Sequence, residues 1–278
     1  MKPSGAAISL GFDALVSSAA ASPVQLEQRA ATVKGFDISS YQPNVDFHKA
    51  YADGARFVII KATEGTTYTD KTFSEHYTGA TEAKLIRGAY HFAHPGQNQA
   101  SAEADFFVKN GGGWSGDGIT LPGMVDLESE KGHPQCWGLS HSSMVAWIRD
   151  FADTYREKTT RWPMLYTNPS WWSSCTGNSQ AFKDTCPLVL ARYAGSPGAI
   201  PGGWRAQTIW QDSDKSPWGG DSDVFNGDLA RLKKLATGCR GSGVGCVDHV
   251  CQSDSKGVAN EKHCTIYAIW FTECSKGE

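Results

Sequence analysis

The chain has 278 residues, 40% of them hydrophobic and 20% charged, with a formal net charge of -3. That composition belongs to a globular protein with a sizeable core and excludes disordered and collagen-like chains. No Lys/Arg-rich run supplies the clustered positive field that phosphates require, and no apolar stretch reaches the roughly 18 residues of a bilayer-spanning helix, so neither nucleic acid nor membrane is expected as a partner. Ten tryptophans are many for this length, and aromatic surplus of that kind often lines carbohydrate clefts.

In chain order, Lys2 is followed by a mostly small and apolar stretch up to Ala19-Ala20-Ala21-Ser22, which fits a signal-cleavage pattern although Gly11 and Asp13 interrupt it. Residues 22–29 then look like a short pro-segment ending at a basic residue. Residues 1–30 are therefore expected to be a leader and the protein to be secreted. Composition shifts again after Gly238, where a Gly-, Ser- and Cys-rich segment begins. This division gives a body over residues 31–238 and a Cys-rich tail over residues 239–278.

Within the body, short apolar runs at 33–38, 57–61, 86–92, 121–127, 163–167, 188–192 and 208–210 read as buried strands. Helical patterns separate the early ones. Asp46 can cap a helix that presents Phe47, Ala50 and Tyr51 on one face, and Ser140 can cap a longer one with Met144, Ile148, Phe151 and Tyr155 at helical spacing. Alternating strand and helix implies a parallel sheet, and this many strands in one body suggest an α/β barrel. The later gaps are shorter and barely admit a helix, so the barrel is expected to have β/α units early and bare strands late.

Eight cysteines divide as Cys136, Cys175 and Cys186 in the body and Cys239, Cys246, Cys251, Cys264 and Cys274 in the tail. If all pair, an odd number on each side forces at least one tail-to-body disulfide, while Cys175–Cys186 and Cys136–Cys175 remain alternatives inside the body. Cys246, Cys251 and His263 approach a zinc-ligand spacing, but Tyr267 stands where the second histidine would be, and no H-E-x-x-H helix occurs. No metal or other cofactor is expected. Nor is N-glycosylation, because Pro169 follows Asn168.

Polar residues collect at the ends of the predicted strands, where barrel chemistry gathers: Asp37, then Lys61 and Glu64, His91, Asp126 with Glu128, Tyr166, and Trp210 with Gln211. Asp126 and Glu128 are two apart, so on a strand both point to one face with about 7 Å between their Cα atoms. Two carboxyls that close in an apolar setting do not both ionise easily. One retains a proton near neutral pH and the other stays charged, which is the division of labour glycoside hydrolysis needs. The spacing alone is weak, since about three such pairs arise by chance; the apolar strand leading into it adds the weight. A serine triad lacks its G-x-S-x-G elbow, and His91 reads as a hydrogen-bonded wall residue rather than a ligand.

The runs Gly35-Phe36-Asp37-Ile38-Ser39-Ser40-Tyr41-Gln42, Phe57 to Gly65, Gly88-Ala89-Tyr90-His91-Phe92, Asp126-Leu127-Glu128, Leu165-Tyr166-Thr167 with Trp171-Trp172, Ile209-Trp210-Gln211 and Asp221 to Gly227 resemble the Chalaropsis-type lysozymes, glycoside hydrolase family 25. The resemblance runs in order from about residue 33 to 238. It implies an irregular TIM-like barrel of five β/α units followed by three further strands. It also implies an N-acetylmuramidase that cleaves the β-1,4 bond between N-acetylmuramic acid and N-acetylglucosamine in bacterial peptidoglycan. Carried over, Glu128 looks like the general acid, Asp126 its carboxylate partner, and Asp37 and Asp221 two further acids, with Asp221 preferred over Asp223. Tyr90, Tyr166 and Trp210 look like cleft walls, and Glu64 is a candidate substrate contact. The expected partner is the cell wall and the expected state a monomer.

Two other readings compete. A family 18 chitinase would carry a further Asp two residues before Asp126, where this chain has Met124. A non-catalytic saccharide-binding barrel has no need of a buried acid pair.

Overall fold

The computed structural model describes residues 31–238. The leader and the Cys-rich tail of the sequence reading lie outside the described residues. The elements run β1 (Val33–Ile38), α1 (Phe47–Ala52), β2 (Phe57–Glu64), β3 (Tyr68–Thr69), α2 (Phe73–Glu82), β4 (Ile86–Phe92), α3 (Ala100–Phe107), β5 (Met124–Asp126), α4 (His141–Thr159), β6 (Met164–Thr167), α5 (Pro169–Thr176), β7 (Leu188–Ala191), β8 (Ile209–Ser213), β9 (Asp221–Phe225) and α6 (Leu229–Thr237).

Strands β1, β2, β4, β5, β6, β7, β8 and β9 are neighbours in that order, and β1 pairs with both β2 and β9, so the sheet closes into a barrel. All pairings from β1 to β8 are parallel. Strand β9 runs antiparallel to both neighbours, and β3 is a short antiparallel addition to β2. Five β/α units therefore precede three strands, β7 to β9, that no helices separate. This is the irregular barrel implied by the resemblance.

Strand alternation sorts the apolar residues onto two faces. Val33, Phe57, Ile59, Met124, Met164, Val189, Ile209 and Phe225 fill the barrel interior. Phe36, Ile38, Val58 and Ile60 face outward beneath α1 and α2. A larger outer cluster holds Phe107, Trp147, Phe151 and Tyr155 of α3 and α4 with Trp171 and Trp172 of α5. The two helices read from caps form as expected. Asp46 accepts from Lys49 N at 2.8 Å, and Ser140 accepts from Ser143 N at 3.2 Å before a helix of 19 residues. Helix α4 ends where Thr160 turns left-handed, its N–H bonded to the Arg156 carbonyl.

The expected strand 121–127 shortens to β5 because Pro122 lacks an N–H and Gly123 N is taken by the Tyr155 hydroxyl at 2.7 Å. Strand β9 escaped the periodicity reading because Asp221-Ser222-Asp223 looks like a loop. Of the alternatives for the body cysteines, Cys136–Cys175 is the pair that forms. Cys186 is buried and pairs with no cysteine among the described residues, and its burial pushes the thiol up to about 12. Any tail-to-body disulfide would therefore run through Cys186.

Candidate active site

Parallel strands present their C-terminal ends on one rim of the barrel. Strand β9, running the other way, brings its first residue to that same rim. The β1–β9 register pairs Asp37 with Asp221 and Gly35 with Asp223, so Asp221 stands level with Asp37 while Asp223 lies one layer deeper. Gly220, just before Asp221, has φ of +64°, and a Cβ there would overlap the Asp37 carbonyl. Only glycine permits this approach. Asp223 is 1% exposed.

On the opposite wall, β5 carries Asp126 between Phe92 of β4 and Tyr166 of β6. Asp126 is buried, and its Oδ1 has no hydrogen-bond partner among the described residues. Glu128, two residues on, is half-buried and closer to the mouth. Tyr90 pairs with Met124 of β5, one layer below Asp126. Lys61 of β2 holds Glu64 Oε2 at 2.5 Å. The structure thus brings together Asp37, Asp126, Glu128, Asp221, Tyr90, Tyr166 and Glu64 at one rim.

Burial dominates the electrostatics, and like charges add to it. Burial, then Asp221, raises the Glu128 carboxyl to about 7, with Lys61 opposing. Burial, then Glu128, holds Asp126 well above the usual carboxylate range, again against Lys61. Asp37 rises to about 7 through burial and Asp221, while a bond from Gln211 opposes the shift. Asp221 is raised by burial and then Asp214, with a bond from Tyr193 opposing. No N–H or hydroxyl of the described residues reaches either oxygen of Asp223. Burial, then the neighbouring carboxyl of Asp37, holds Asp223 well above the usual carboxylate range.

Sequence reasoning placed Gln211 at a strand end but gave it no part in joining the two walls. Gln211 Nε2 donates to Asp37 Oδ2 at 2.8 Å, and its Oε1 accepts from the hydroxyls of Tyr166 and Tyr193, each at 2.9 Å. The signal was available, since Gln211 is two residues after the interior Ile209 and so faces inward. By the same alternation Trp210 faces outward beside Leu190, and its indole N–H donates to the Arg192 carbonyl at 2.8 Å. The register thus sets Trp210 on the other face of β8 from Gln211, apart from the group of acids. His91 is a wall residue: wholly buried on the outer face, its ring meets Thr63 Oγ1 and Glu103 Oε2, both at 2.8 Å.

Residues 36–221 match the family described as Glycosyl hydrolases family 25. An N,O-diacetylmuramidase from Chalaropsis sp is 66% identical over 211 residues, covering 74% of this chain and 100% of the relative. Among solved structures, a muramidase from Trichobolus zukalii superposes with a TM-score of 0.74 at 64% identity, over 74% of this chain and 100% of that one. A family GH25 lysozyme from Aspergillus fumigatus superposes with a TM-score of 0.73 at 59% identity, over the same shares.

Proposed function

Given that the chain belongs to glycosyl hydrolases family 25, we propose that this glycoside hydrolase is a secreted N-acetylmuramidase in which Glu128 is the general acid and Asp126 its partner. The bond cleaved is the β-1,4 link between N-acetylmuramic acid and N-acetylglucosamine of bacterial peptidoglycan. The observation that carries the assignment of roles is the depth difference along β5: Asp126 is buried at the strand end and Glu128 sits half-open at the mouth. A group that must reach a leaving-group oxygen belongs at the mouth. One that must orient or stabilise charge beneath the sugar belongs deeper.

In this reading Glu128 gives its proton to the glycosidic oxygen as the C–O bond breaks. Asp126 accepts a hydrogen bond from the sugar's 2-acetamido N–H, and the acetamido oxygen attacks the anomeric carbon to give an oxazolinium. Glu128, now a carboxylate, takes a proton from the water that opens this intermediate, so the product retains its anomeric configuration. Asp37 and Asp221 line the opposite wall, and Tyr90 and Tyr166 offer ring faces to the sugars. Glu64 is a substrate contact from the neighbouring strand. A trapped covalent glycosyl–Asp126 adduct would rule out the acetamido route and leave the lysozyme assignment standing.

The 66% identity to an N,O-diacetylmuramidase supports a site that accepts muramic acid bearing an O-acetyl group as well as the N-acetyl group. Residues 1–30 serve as signal peptide and pro-segment in this proposal, and the protein acts as a monomer on the cell wall. The test is release of reducing ends from bacterial peptidoglycan and from chitin by the parent and by Glu128→Gln. Turnover of peptidoglycan alone is expected, with kcat lower by about 10²–10⁴-fold in the variant. Binding to peptidoglycan without turnover by the parent would overturn the enzymatic reading.

A further inference from the structure

Beside the acids, three separate segments of the rim bring four further side chains together. Glu64 ends β2, His94 lies just past β4, and Glu130 and His133 occupy a turn after β5 in which His133 N donates to the Glu130 carbonyl at 3.1 Å. His94 Nε2 lies 3.1 Å from Glu64 Oε1 and 3.5 Å from Glu130 Oε2. His133 Nε2 lies 3.6 Å from that same Glu130 oxygen. Ligands about 2.0–2.1 Å from a tetrahedral ion stand about 3.3 Å apart, and the ligand atoms of Glu64, His94 and Glu130 all lie within 4.8 Å of one another, which suits one shared ion.

Three features favour an ion over a solvated acid–imidazole cluster. Glu130 Oε2 is shielded from solvent and has no hydrogen-bond partner among the described residues. Two of the ligands are held from behind, as metal ligands are. Lys61 holds the other Glu64 oxygen at 2.5 Å, and the buried Glu103 accepts from the His94 backbone N–H at 3.1 Å. Trp137 stacks on both imidazoles at 4.9 and 4.8 Å between ring centroids. Finally, an imidazole with two carboxylates suits a borderline transition ion rather than Mg²⁺ or Ca²⁺, which prefer oxygen alone, and two glutamates balance its charge.

We propose that Glu64, His94 and Glu130 bind one divalent transition-metal ion of the Zn²⁺ class, with His133 flanking Glu130 at the edge of the site. The ion braces the turn that follows Glu128 against the neighbouring loops. Trp137, which packs on both histidines, donates its indole N–H to the Glu128 carbonyl at 2.9 Å, so the brace reaches the candidate acid's own backbone. The ion takes no part in bond cleavage, and Glu64 is the one residue this site shares with the proposed substrate contacts.

The test uses untagged, oxidised full-chain protein stripped with a chelator and titrated with Zn²⁺ by calorimetry, with Co²⁺ absorption as the probe of geometry. Saturable binding of one ion, a higher Tm with Zn²⁺ and an intense tetrahedral Co²⁺ band are expected. Glu130→Gln and His94→Gln should each weaken binding by at least about tenfold, and the exposed His48→Gln should not change it. Matching Tm values of parent and Glu130→Gln in chelator show that the variant folds. Absence of saturable binding, or binding equally tight in Glu130→Gln, as tail cysteines would give, overturns the proposal.

Discussion

The two halves of the barrel hold their acids by different means. From β1 to β6 each strand is followed by a helix, and the strand ends that carry Asp126 and Glu128 are backed by the aromatic cluster of α3, α4 and α5. From β7 to β9 no helix intervenes. There Asp221 and Asp223 are placed by backbone register and by the tight turn at Gly220, and Gln211 holds the neighbouring Asp37 by a hydrogen bond. Packing secures one wall and polar contacts secure the other, so substitutions should fail differently on the two sides.

The sharpest contrast is between Asp126→Asn and Asp221→Asn. Losing the buried carboxylate should lower kcat by about 10²–10³-fold. Losing the half-exposed one should cost on the order of tenfold, because its field passes through a more water-like medium. Equal losses in steady-state assays on peptidoglycan would erase the distinction between the walls.

Next comes Gly220→Ala, which places a Cβ against the Asp37 carbonyl at a positive φ. About 1–3 kcal/mol of stability should be lost, measured by urea unfolding, with a parallel fall in kcat. An unchanged midpoint would mean that the bare side adjusts more freely than its close contacts imply.

Gln211→Leu removes the bridge between the walls and should reduce activity while raising the Asp37 carboxyl further, since the Gln211 bond opposes its upward shift. A pH test of stability follows from the same group. Its folded-state value of about 7 exceeds the ordinary 3.8, so folding binds a proton more tightly than the unfolded chain does. The resulting stabilisation is complete below about pH 4 and is lost as pH rises through about 7. The Tm contribution of Asp37 should therefore fall between pH 4 and 8, and Asp37→Asn should flatten the profile. A parent Tm difference that Asp37→Asn leaves untouched would refute this.

The smallest effect is expected at Trp210. Trp210→Ala should leave kcat unchanged and lower Tm only slightly, because the ring lies on the outer face of β8. A large fall in kcat would restore its expected role in the cleft.

Much of the helix-backed half was legible because its signals are local. Apolar runs marked β1 and β4 at their observed ends, and Asp46 and Ser140 announced the helices they cap. The acid pair at the end of β5 was readable from period two and its apolar lead-in. Strand β9 was not, because its polar first half owes its extended form to partners on β1 and β8 rather than to its own composition. Gln211 was half visible: its place at a strand end was noted, but its partners lie 45 and 174 residues away.

By itself the sequence determined the class of fold, the strands with apolar runs, the acids at their ends and, through ordered motifs, the family. Tertiary structure alone decided which of those residues share a face and a level. It turned Trp210 outward, set Asp221 beside Asp37 and Asp223 beneath, joined Cys136 to Cys175, and gathered Glu64, His94, Glu130 and His133 from three segments. The reason is physical. Caps and periodicity act over a few residues and leave their mark in the chain, whereas register and loop approach are set by closing the barrel, which no short stretch of sequence records.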